Sequence, residues 1–117
     1  MATSVINHQN IYKAANLTSN KTCKSNVLTN IQSLTLPKGR YIVIATVGYH
    51  TPTYVILADS ASSDIGFAVS CNNNIVIGYT IVTESNKTVY SNVLNTSSDF
   101  SAVADMRYTK LLAIKVS

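Results

Sequence analysis

Residues able to do chemistry are few in this chain, and they are scattered. Only His8 and His50 offer imidazole bases, and the acidic residues Asp59, Asp64, Glu84, Asp99 and Asp105 fall in separate turns and loops. A serine nucleophile is expected on a sharp strand-to-helix elbow of the GxSxG kind, and no such motif occurs. His50, Asp59 and a serine make a triad in composition only, because nothing in their spacing provides the hydrogen-bonded geometry a triad requires. No spacing singles out a glycosidase pair among the acids, whose ordinary role in turns is solubility. Asp59 and Asp64 bracket a serine loop (DSASSD) whose oxygens suit calcium, but the spacing fits no standard calcium loop. The sequence therefore implies no catalytic site, no metal and no cofactor, and the protein is expected not to be an enzyme.

Two cysteines, Cys23 and Cys71, lack the CxxC pairing of a zinc module and are read as free thiols packed as small hydrophobes. Tyrosine is the more informative enrichment, with seven residues beside only two Phe and no Trp. Its apolar body and polar tip suit interfaces and sugar-binding surfaces, although strand tyrosines more often pack at the edge of a core. Tyr49, His50 and Tyr54 cluster around an expected turn and form the candidate surface-binding patch. Four Asn-X-Ser/Thr sequons, at Asn16, Asn20, Asn86 and Asn95, are close to chance in a chain this rich in those residues.

The net charge of +4 is mild and dispersed, without the basic run interleaved with aromatics that nucleic-acid binding calls for. Met1 to Gln9 contains no apolar core of a signal peptide, and no apolar run approaches the ~20 residues of a membrane helix. Charged residues make up 12% of the chain, about half the usual share, and Ser, Thr and Asn fill 39 of 117 positions. That composition fits one β-domain with a surface of hydroxyls and amides, or one that hides surface in an oligomer.

The elements follow from alternation. In Tyr41 to Tyr49 the odd positions are Tyr41, Val43, Ala45, Val47 and Tyr49, and the even ones Ile42, Ile44, Thr46 and Gly48. A strand sends these two sets to opposite faces, and here neither set is built for water. Pro37-Lys38-Gly39 is expected to turn the chain in front of this strand. Ile75 to Val82 is also apolar on both faces, and Glu84 to Lys87 is expected to reverse the chain into a strand over Thr88 to Leu94. Further strands are expected over Tyr54 to Ala58, Ile65 to Cys71, Phe100 to Ala104 and Tyr108 to Val116. The polar opening, residues 1–30, is read as an attachment segment or first strands, and 31–117 as the main body of a single domain. Short strands with turn signals every ~8–12 residues point to a sandwich or barrel, and the absence of Trp disfavours an immunoglobulin domain.

Three stretches together carry a resemblance: SLTLPKGRYIVIATVGY (33–49), KTVYSNVLNTSSDFSA (87–102) and TKLLAIKVS (109–117). They resemble the C-terminal head domains of bacteriophage tail fibres, head fibres and related virion proteins. These are trimeric jelly rolls similar to tumour-necrosis-factor and complement-type heads. The resemblance spans Gln32 to the C-terminus and implies an antiparallel jelly-roll β-sandwich that assembles as a homotrimer. It implies a virion component contacting other virion proteins or a bacterial surface glycan, and brings no catalytic residues. Ile42, Ile44, Val76, Leu111 and Ala113 are the expected trimer-interface residues, with Leu112, Ile114 and Val116 turned into the core. The competing reading is a carbohydrate-binding or adhesive module of a secreted or surface bacterial protein.

Overall fold

Two strands of 21 residues each pair with one another along nearly their whole length, and every other element hangs from that ribbon. The computed structural model describes residues 11–48, 53–71, 73–96 and 102–117. The strands are β1 (Ile11–Asn16), β2 (Lys21–Cys23), β3 (Leu28–Gly48), β4 (Thr53–Ala58), β5 (Ala68–Cys71), β6 (Ile75–Asn95) and β7 (Ala102–Lys115). All pairings are antiparallel, in the order β1-β7-β3-β6-β4-β5, with β2 also on β7. No helix occurs among the described residues.

At ~3.3 Å per residue a straight 21-residue strand would span roughly 70 Å. The molecule's longest dimension is 55 Å, so the ribbon bends. It bends where the register slips, between Asn30 and Gln32 and between Pro37 and Gly39. At the second slip Lys38 stands against Thr83, Glu84 and Ser85, since Pro37 pairs with Asn86 and Gly39 with Val82. Gly39 has φ +155°, a conformation that favours glycine, and the buried Tyr41 hydroxyl donates to the Pro37 carbonyl at 2.8 Å. Two expected reversals are thereby corrected. Pro37–Gly39 and Glu84–Lys87 do not turn the chain back; facing one another, they form a shared irregularity through which both strands continue.

The bend folds the sheet over its own core. Residues 39–48 of β3 and 75–82 of β6 join β7 and β1 in one layer. Residues 28–37 of β3 and 86–95 of β6 join β4 and β5 in the other. Tyr41, Val43, Ala45, Val47, Val76, Val82, Leu111 and Ala113 of the first layer share one buried cluster with Leu34, Leu36, Val55, Leu57, Val89 and Val93 of the second. The result is an all-β, sandwich-like body. The expected strand over Thr88 to Leu94 is the second half of β6, and the polar opening contributes β1 and β2 to the same fold.

One core position breaks the apolar rule. Gln32, beside the first register slip, is only 7% exposed, and neither its amide nitrogen nor its carbonyl oxygen has a hydrogen-bond partner. A buried amide left unpaired costs about 1–3 kcal/mol. Gln32→Met keeps the side chain's length and removes that cost. We expect it to raise the melting temperature by several degrees, read by differential scanning calorimetry. A lowered melting temperature would show that the amide is a net contributor to the fold.

Candidate functional site

The residues marked out for chemistry do not come together. Tyr49, His50 and His8 lie outside the described residues. Tyr54 is half-buried on β4, where it pairs with Cys71. A hydrogen bond to the Cys71 side chain, with that group's charge and some burial, raises the phenol's pKa above its ordinary value. Cys23 is a fully buried thiol and Cys71 an exposed one, and the two are not joined. Among the described residues no three His, Cys, Asp or Glu side chains cluster as metal ligands would.

The serine loop between β4 and β5 is organised from within the protein. Asn92, fully buried on β6, donates its Nδ2 to the Ser60 and Ser63 carbonyls, 3.0 Å each. Its Oδ1 accepts from Asn30 Nδ2 at 3.0 Å. The backbone oxygens that a cation would want are thus held by an amide, so the loop's geometry does not support calcium. Asp59 leaves the loop to meet Lys87 Nζ at 3.1 Å, and Lys87 also donates to Thr80 Oγ1 at 3.2 Å. Ile56 and Ala58, on the strand that leads into the loop, are both buried.

The face that stands out is apolar and belongs to the first layer. Ile75, Ile77, Tyr79 and Ile81 of β6 point outward and are between 40% and 60% exposed. Across the register, Ile77 pairs with Ile44 and Ile44 with Leu112; Tyr79 pairs with Ile42 and Ile42 with Ile114. Those four partners are half-buried. A groove of about 180 Å³ runs between β1, β7 and β3 on this face, lined by Ala14, Ile44, Thr46, Lys110, Leu111 and Leu112. These four side chains, alternating along one strand, are the longest run of exposed large apolar residues among the described residues.

Of the expected interface residues, Ile42 and Ile44 lie on this face. Val76, Leu111 and Ala113 do not, because they are buried in the chain's own core. The two faces of the closing strand are the reverse of those expected: Leu112 and Ile114 face outward, and Val116 is exposed. Ile75, Ile77, Tyr79 and Ile81 were missed. Gly78 carried the signal, since a strand glycine marks a close approach and a Cβ there would come within 2.9 Å of the Phe67 ring. That places Gly78, and with it Val76 and Val82, inward. Comparison with protein-family models, curated proteins and solved structures returns no match.

The Asn92 amide makes a sharp prediction. Asn92→Leu removes three part-buried hydrogen bonds and leaves the Ser63 carbonyl without its amide partner, while the Ser60 carbonyl keeps the Ser63 N–H, at a cost of about 2 kcal/mol. Limited proteolysis should then cut first between residues 59 and 66, with a fall in melting temperature of roughly 10 °C. An unchanged cleavage pattern would show that the loop is held by something else.

Proposed function

We propose that this chain is a structural, non-catalytic head module that assembles as a homotrimer through the outer face of its first layer. Its setting is a virion fibre or a capsid or tail decoration. The observation that carries the reading is the contiguous apolar face of Ile42, Ile44, Ile75, Ile77, Tyr79, Leu112 and Ile114 on a protein with few charges. Apolar side chains this concentrated on one sheet face are expected to be covered, and a chain with its own complete core needs a second copy to cover them. The strand order gives further support. A four-strand layer β1-β7-β3-β6 facing a layer β3-β6-β4-β5, with two long strands shared, is compatible with a jelly roll. The sequence resemblance to virion head domains supplies the setting, and contact with a host-surface polymer is the role such a head would serve.

Light scattering at micromolar concentration should give three times the 12.6 kDa chain mass. Ile77→Asp is the informative variant. Ile77 is 60% exposed in the single chain, so the substitution leaves the monomer's core intact. In the assembly it buries an unpaired carboxylate, which costs several kcal/mol. The variant is expected to be a folded monomer, and Thr96→Asp, at an exposed position, to stay trimeric. A wild-type protein that is monomeric and binds sugars on a glycan array would overturn the reading in favour of an adhesive sugar-binding module.

A further inference from the structure

The outward face of the first layer carries a projecting side chain and a hollow at one level. The register sets Ala14, Leu112, Ile44 and Ile77 side by side across β1, β7, β3 and β6. Ala14 is exposed, Leu112 and Ile44 are half-buried, and Ile77 is 60% exposed. Two residues further along the strands, Lys110, Thr46 and Ile75 form the next row. The groove of about 180 Å³ lies between the two rows and is centred on β7. A cavity of roughly 150 Å³ can hold a benzene ring, so this groove has room for an aliphatic side chain. Ile77 does not fill the groove of its own chain, because it stands two strands away from β7, roughly 10 Å.

We infer that Ile77 of one copy seats in this groove on the next copy, so that the β6 row of each chain lies across β1, β7 and β3 of its neighbour. This rests on the self-association proposed above and names the contact within it. The register is the argument for a second copy as the occupant. Rotation about an axis running along the strands keeps every residue at its own level. Ile77 is the strongly exposed apolar side chain level with Ala14, Leu112 and Ile44. Charge agrees with this occupant. Lys110 is the one cation among the groove's lining residues, and no Asp, Glu, Lys or Arg occurs between Ile75 and Val82. Seating the β6 row there opposes no like charges and buries no acid. The two sides of the contact use different residues, so it repeats head to tail and closes into a ring when each step is a third of a turn.

The test is a disulfide that only contact between copies permits. Ile77→Cys and Ala14→Cys are combined with Cys71→Ser, which removes the exposed native thiol and leaves the buried Cys23. Within one chain the two positions are three strands apart, roughly 14 Å, about twice the separation a disulfide can bridge. Mild oxidation at micromolar concentration should give covalent dimers and closed trimers, with the 14–77 bond found by mass spectrometry of the digest. Neither single variant should cross-link. A trimer by light scattering that yields no 14–77 bond would overturn the seating while leaving self-association intact, and so would a 77–77 bond from Ile77→Cys alone. A monomeric wild type would overturn the self-association reading and the seating with it. Should the double variant fail to fold or assemble, Ala14→Trp decides the matter. Its bulk, at an exposed position, should fill the groove and weaken assembly by ~10-fold or more, while Ser33→Trp on the second layer should not. An unchanged dissociation constant for Ala14→Trp, by analytical ultracentrifugation, overturns the seating.

Discussion

The pairing of β3 with β6 is the constraint on which the rest of the structure depends. Both strands pass through both layers, so neither layer can form or come apart without the other. The outer elements inherit their positions from this ribbon: β7 and β1 from the second half of β3, β4 and β5 from the second half of β6. The bend itself must be local and stiff, since a slip of one residue would exchange the buried and outward faces of an entire half-strand. Gly39 provides the conformation, and the Tyr41 hydroxyl on Pro37 ties the inner face to the irregularity. Lys87 spans the same region, joining Thr80 on one side of the bend to Asp59 in the serine loop.

Buried amides complete what the ribbon begins. Asn92 fixes the β4–β5 loop through two carbonyls and is itself oriented by Asn30. The buried Asn95 donates to the Cys23 carbonyl at 2.9 Å, tying the end of β6 to β2 across 72 positions of sequence. Asn26 adopts a positive φ of 57° and donates its backbone N–H to the Asn95 carbonyl, so the chain enters β3 beside the point where β6 ends. In a chain with few charges, side-chain amides do the work of long-range positioning, at sites where an unpaired polar group would be costly.

Strand content and alternation were legible in the sequence because period two is a local property. The face that points inward was not, and the reason is physical. When both sets of alternate residues are apolar, hydrophobicity gives no sign of direction, and the decision passes to volume. In Ile75–Val82 the small set, Val76, Gly78, Thr80 and Val82, lies inward against Phe67 and Ala68, and the bulky set lies outward. In the closing strand Leu111 and Ala113 lie inside, facing Ala45 and Val43 in the register. Pro37-Lys38-Gly39 reads as a turn on composition alone. It becomes a bulge because β6 runs alongside with its own irregular stretch at the same height, a coincidence of two segments some 45 positions apart that no local pattern reveals.

The same volume argument explains why the outward face is not an accident of packing. A single domain that needed only solubility would place its Ser, Thr and Asn on this face, as the second layer does at Ser33, Thr35 and Thr88. Instead the bulkiest aliphatic side chains of β6 point to solvent, on a strand whose first half pairs on one side only among the described residues. An apolar strand of eight residues at a sheet edge is a template for uncontrolled pairing unless something blocks it. Charge does not block it here, because no Asp, Glu, Lys or Arg occurs between Ile75 and Val82. Closure of the proposed assembly would block it: a symmetric, finite oligomer would cover the face and remove the edge from reach in one step, which is the physical reason to expect a closed ring of copies from this surface rather than an open chain.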